Sequence, residues 1–142
     1  MRWPNRTPHT LTRGMRKAQH ALAGFLSLID WSCFRRRCLN AEIGVSEEAV
    51  TCFGCGDEAQ AVIWLLRRDT IGEDGMMHPG AEPVSSSIAV PGLSPGCYSV
   101  TAWSTLEGRA DATYKIEKGA EPVLHLHVPL FAADLALAIR RR

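Results

Sequence analysis

Two hydrophobic rhythms divide this chain. Near its start, Ala18, Ala21, Leu22, Phe25, Leu28 and Ile29 recur three and four residues apart, which places them on one stripe of a helix over residues 15–30. Arg16, Lys17, Gln19 and His20 lie mostly off that stripe. Gly24 interrupts it, at a cost of about 1 kcal/mol relative to alanine. A second short helical turn is expected over Trp31–Leu39. A single amphipathic helix cannot bury its stripe alone, so this one needs a partner surface.

From residue 48 the rhythm changes to period two. Glu48–Phe53 reads as a short strand and Gly54-Cys55-Gly56-Asp57 as a turn. Ala59–Arg68 carries the unbroken run Ala61-Val62-Ile63-Trp64-Leu65-Leu66, the pattern of a central strand buried on both faces. Asp69–Pro83 is rich in Gly, Pro and acids, and reads as a long loop. Val84–Val90 is a strand, and Pro91–Gly96 is a turn-rich connection. Four further segments follow, at Cys97–Trp103, Arg109–Glu117, Leu124–Val128 and Leu135–Arg140. Each of them alternates: Tyr98, Val100 and Ala102; Ala110, Ala112, Tyr114 and Ile116; Leu124, Leu126 and Val128; Leu135, Leu137 and Ile139. Gly108 and Lys118-Gly119 sit at hairpin positions, so these strands are expected to run as a meander of neighbours.

The predicted fold is mainly β: an antiparallel two-sheet β-sandwich of about seven strands over 48–142, preceded by an N-terminal amphipathic helix. Residues 15–40 form the helical segment. Residues 1–14, rich in Arg, Thr and Pro, form a poorly ordered tail.

Charge sharpens this division. The net charge is +1 over 142 residues, which gives the whole chain no electrostatic reason to seek nucleic acid. Yet residues 1–40 hold eight basic residues against the single acid Asp30. The run Arg35-Arg36-Arg37 reads as a solvated helix end. Ala21–Ile29 is apolar behind basic residues, but it is followed by Asp30-Trp31-Ser32-Cys33-Phe34 rather than a small-residue cleavage site. It is also too short to span a bilayer. Five cysteines in no regular framework argue against a disulfide scaffold, and favour a reducing, cytoplasmic setting over secretion.

Candidate chemistry is sparse. Cys52-Phe53-Gly54-Cys55 is a CxxC that supplies two of the four ligands a structural zinc needs, with Cys33 and Cys38 or His125 and His127 to complete it. Two thiols beside a Gly turn are the simpler reading, so no metal or other cofactor is expected. A redox CxxC wants a following helix, and a strand follows here. Ser85-Ser86-Ser87 lacks a nucleophile elbow. Asp69, Glu73, Asp74, Glu82, Glu107 and Asp111 show no paired arrangement on strand ends. Of the four tryptophans, Trp3, Trp31, Trp64 and Trp103, Trp64 is expected in the core and Trp31 as a helix anchor. Trp103, facing away from the Tyr98–Val100–Ala102 set, is left as the one candidate carbohydrate contact.

Three motifs carry a resemblance. Ala61-Val62-Ile63-Trp64-Leu65-Leu66-Arg67-Arg68-Asp69 is similar to the "vWLlnRd" strand that opens the C-terminal β-sandwich of many TIM-barrel glycoside hydrolases of the cellulase and mannanase type. The segment from Gly92-Leu93-Ser94-Pro95-Gly96-Cys97-Tyr98 through Trp103-Ser104-Thr105 to Gly108 resembles their "GLxPGxYxVxxWdTxxG" hairpin, with Ser104 where the pattern often has Asp. Val128-Pro129-Leu130-Phe131 through Asp134-Leu135-Ala136-Leu137 resembles their closing "vPxfxxDiAlki" strand. Upstream, Ala21–Asn40 is similar to a last barrel helix. The resemblance spans roughly 18–140. It implies a non-catalytic accessory sandwich, on a truncated chain whose partner would be a catalytic barrel or a carbohydrate. The catalytic carboxylates of such enzymes lie on the barrel, so none carries over. On the truncation reading, the stripe Leu22, Phe25, Leu28 and Ile29 should be incompletely covered. A freestanding carbohydrate-binding module and an Ig-like protein-interaction domain are the alternatives.

Overall fold

The computed structural model of the chain describes residues 11–78 and 80–142. Trp3, Arg2, Arg6 and the rest of the expected tail up to residue 10 lie outside the described residues.

Helix α1 spans Arg13–Leu26. It starts earlier than the stripe suggests because Thr12, in extended conformation, accepts the Met15 backbone N–H on its hydroxyl at 3.2 Å. It stops at Ser27, whose hydroxyl donates back to the Gly24 carbonyl at 2.7 Å. The Trp31 indole N–H then satisfies the Leu26 carbonyl at 2.7 Å, so Trp31 anchors the helix end as expected. The chain after it is not helical. The two-residue strand β1 (Arg37–Cys38) stands in the region of the expected second turn, and a second two-residue strand, β2 (Gly44–Val45), follows it.

Seven longer strands follow: β3 (Val50–Gly56), β4 (Gln60–Arg67), β5 (Val84–Pro91), β6 (Gly96–Ser104), β7 (Arg109–Lys118), β8 (Val123–Phe131) and β9 (Asp134–Arg141). They form two antiparallel sheets, one ordered β1-β3-β4-β9-β6-β7 and one ordered β2-β5-β8. The inner faces share one core. Ile63, Leu65, Tyr98, Val100, Leu135, Leu137 and Ile139 come from the large sheet, and Ile88, Val90, Leu124, Leu126 and Val128 from the small one. This is the two-sheet β-sandwich the alternation predicts.

The C-terminal strands are not the expected meander. Only β6 and β7 pair as sequence neighbours; β8 crosses to the small sheet beside β5, and β9 returns between β4 and β6. One-faced alternation fits either sheet equally well, so the pattern could not separate these topologies. At the β7–β8 corner the ammonium of Lys118, 5% exposed, donates to the Gly119 and Glu121 carbonyls. That corner replaces a hairpin.

Helix α1 packs on the outer face of the large sheet and adds a third layer. Phe25, Ile29 and Phe34 bury against Ala136 and Ala138 of β9, with Leu28, Val62 and Trp103 at their margin. The stripe is only partly covered: Leu22 remains 57% exposed. Gln60 fastens the segment after α1 to the sheet. Its side-chain carbonyl accepts the Asp30 N–H at 2.8 Å, and its amide donates to the Asp30 carbonyl at 3.0 Å. Close approach explains Gly24: a Cβ there would stand 2.9 Å from the Trp103 ring.

Candidate functional site

The outer face of the large sheet carries a row of aromatic residues. Phe53 on β3 faces Trp64 on β4, Trp64 faces Ala136 on β9, and Ala136 faces Trp103 on β6. The row runs across the strands, and its smallest member lies between the two tryptophans. A cleft opens there, of about 280 Å³, lined by Trp64, Trp103 and Ala136 of the sheet and by Leu22 and Phe25 of α1. The lining is almost wholly apolar, so the cleft favours contact with apolar surface over polar chemistry.

Trp64 is not the core residue its apolar run suggests. Its inner-facing neighbours Ile63 and Leu65 are fully buried, while Trp64 is 38% exposed and stacks on Phe53 with ring centroids 5.6 Å apart and planes 29° apart. The run is unbroken because β4 is central in its sheet, yet its outer face is only half covered. Trp103, the candidate sugar contact, is half-buried. It meets Phe25 edge to face at 6.1 Å and 61°, and helix α1 lies against it. The more open aromatic surface is the Phe53–Trp64 pair, which residue types alone do not reveal. A signal for it exists: in a hairpin tipped at Glu58–Ala59, residues equidistant from the tip face each other.

Polar groups at this face hold the aromatics in place. The Trp64 indole N–H donates to Asp134 Oδ2 at 2.9 Å, and the Thr105 hydroxyl donates to Asp134 Oδ1 at 2.7 Å. Asp134, at the start of β9, thereby joins β4 to the β6–β7 turn. Both its oxygens are engaged in positioning neighbours.

The other candidate residues are not brought together. Cys52 points into the sandwich core and Cys55 to the outer face, because odd spacing along a strand puts side chains on opposite sides. Burial pushes the Cys52 thiol up to about 12. His125 and His127 lie exposed on the small sheet, opposite Ala89 and Ser87. Among the described residues no group of three His, Cys, Asp or Glu side chains is placed to hold a metal ion. Ser86 is buried beside Ser46, and Ser85 and Ser87 are exposed strand residues.

The acids also separate. Asp69 is taken by Arg67, and Asp74 caps its own turn by accepting the Met76 N–H at 2.9 Å. Of the basic run, Arg37 pairs with Glu42. Arg35 and Arg36 are exposed, and the Arg35 backbone N–H donates to Asp57 at 2.8 Å. A cleft of about 240 Å³ near Arg35 and Arg37 is bordered by that same Asp57. Its carboxylate also caps the β3–β4 turn through the Ala59 and Gln60 N–H groups. No described helix is long and apolar enough to cross a membrane.

No protein-family model matches this chain, and no curated protein matches it in sequence.

Proposed function

We propose that the chain is a non-catalytic accessory β-sandwich of a glycoside-hydrolase-like protein, and that the aromatic outer face of its large sheet is where a catalytic barrel packs. The observation that carries this reading is the apolar cleft with its exposed margin. Leu22, Phe53 and Trp64 are each more than a third exposed on a face already rich in buried apolar contacts. Large side chains in that state mark a surface that gains by being covered. The polar residues of the three glycoside-hydrolase-like motifs support the same reading. Trp64, Thr105 and Asp134 each come from a different motif and meet in one hydrogen-bonded group on this face.

The test joins gene context to binding. A (β/α)₈-barrel coding sequence beside this one is expected, with a product that binds the chain and loses that binding on Trp64→Ser. The chain alone is expected to release no sugar from β-1,4-glucans or mannans. Hydrolysis by the chain alone overturns the reading, and so does a neighbouring barrel that does not bind.

A carbohydrate-binding module is the second reading, favoured by the stacked Phe53–Trp64 pair. Its discriminating assay is affinity electrophoresis on soluble glucan and mannan. Retention lost in Trp64→Ala or Trp103→Ala selects the module over the scaffold.

A further inference from the structure

We propose that Cys38 and Cys55 form a redox-dependent cross-strand disulfide that latches the edge strand β1 onto β3. This inference stands independently of the accessory-domain reading.

Three observations carry it. First, Cys38 and Cys55 are direct partners in the antiparallel β1–β3 ladder. Second, the Leu39 N–H donates to the Gly54 carbonyl at 2.8 Å. That bond joins the residue after Cys38 to the residue before Cys55, so the cysteines occupy a non-hydrogen-bonded site. At such a site Cα atoms lie about 4.5 Å apart and the side chains approach most closely. Disulfides span Cα separations of about 4.4–6.8 Å, so the ladder supplies the geometry without backbone movement. Third, both side chains take the outer face. Leu39 and Gly54, one step along each strand, turn toward the core, where Leu39 is 1% exposed.

The two thiols also differ in access. Cys38 is exposed and Cys55 half-buried. Burial pushes the Cys55 thiol up, and the Arg36 charge draws it down. Cys38 is therefore the residue an external oxidant meets first. The oxidant is a low-molecular-weight disulfide such as oxidised glutathione, whose negative charge suits the Arg35–Arg36–Arg37 run beside the site. The Cys38 thiolate attacks one sulfur of that disulfide, forming a mixed disulfide and expelling one thiolate. The Cys55 thiolate then attacks Cys38 Sγ and expels the second. Two protein thiols are oxidised and one external disulfide is reduced to two thiols.

The latch acts on a weak edge. β1 holds only two ladder pairs, Arg37 with Gly56 and Cys38 with Cys55. It ends the segment that leads from α1 to the sandwich, so closing the latch secures that segment as well.

The full chain is incubated with oxidised glutathione, its free thiols are alkylated, and the protein is mapped without reduction. A Cys38–Cys55 peptide is expected, with a mass loss of about 2 Da for the two hydrogens removed. The thermal midpoint is expected to rise by about 5 °C or more, and dithiothreitol should reverse both changes. Cys55→Ser is expected to retain a glutathione adduct on Cys38, and Cys38→Ser to leave Cys55 free. Reduced wild type and both variants should melt together, which separates loss of the latch from misfolding. A lasting adduct on wild-type Cys38, a link through Cys33, a link between chains through Cys97, or two thiols still free each overturns the proposal.

Discussion

Arg67, at the end of β4, grips Asp69 with two prongs, Nε to Oδ1 at 3.1 Å and Nη2 to Oδ2 at 2.7 Å. The Arg67 side chain is 7% exposed and that of Asp69 is 48% exposed. The remaining guanidinium nitrogen donates to the Glu82 and Ala132 carbonyls. One side chain thus gathers the long loop, the β8–β9 turn and the end of β4. Arg67→Ala removes all of these donors and leaves two carbonyls without them. The expected loss is about 2–4 kcal/mol, read as a lower urea midpoint with an unchanged slope.

The same pair sets an acid limit. Hydrogen bonding from Arg67 holds the Asp69 carboxyl below its ordinary value, and the Ser32 hydroxyl does the same for Asp30. A carboxyl depressed in the folded state contributes fully above its unfolded value and is lost as pH falls through its folded one. The thermal midpoint should therefore hold between pH 7 and about 5, and fall below about 4. In Arg67→Ala the fall should be shallower, because Asp69 then titrates alike in both states. An equally steep fall in the variant would remove Asp69 from the account.

Tyr98 explains why the Gly92–Tyr98 motif has its spacing. Its ring is fully buried, and its hydroxyl lies 2.6 Å from the Ser94 carbonyl and 3.0 Å from that of Glu58. The ring fills the core while the hydroxyl closes the turn four residues upstream, an economy common to β-sandwiches. Tyr98→Phe keeps the ring and should cost about 1 kcal/mol in denaturant unfolding.

Gly108 allows the β6–β7 turn to meet the helix. Its φ is +69°, and a Cβ there would lie 2.7 Å from the Ala21 Cβ. Gly108→Ala should therefore combine backbone strain with a displaced helix, at about 1–3 kcal/mol. Increased hydrogen exchange across α1, with the sandwich core still protected, is the expected signature.

Thiol reactivity should rank by burial. At pH 8 iodoacetamide should modify Cys33, Cys38 and Cys97 readily and leave Cys52 untouched, since its thiol is pushed up to about 12. Peptide mapping after timed alkylation checks the order.

The strands were legible because alternation is local. Tyr98, Val100 and Ala102 announce an inner face, and that is where they lie. What alternation cannot carry is the identity of the neighbouring strand: β8 beside β7 and β8 beside β5, where it lies, share one pattern. The site is hidden in the sequence for a related reason. Cys52 and Cys55 look adjacent in sequence, but the strand period separates them and long-range register gives Cys55 a different partner. Trp64 sits in an unbroken apolar run, and only the incomplete cover provided by α1 leaves it open to solvent.

The place of β9 also governs the order of assembly. It lies between β4 and β6, so the two halves of the large sheet have no hydrogen-bonded contact until residues 134–141 arrive. Before then the β3–β4 hairpin and the β6–β7 hairpin each present an open apolar edge. Closure joins residues some seventy positions apart, such as Leu65 and Leu135, a slow event for a chain of this size. During synthesis the sheet therefore waits for its last strand, and the unjoined hairpins are the species most exposed to aggregation.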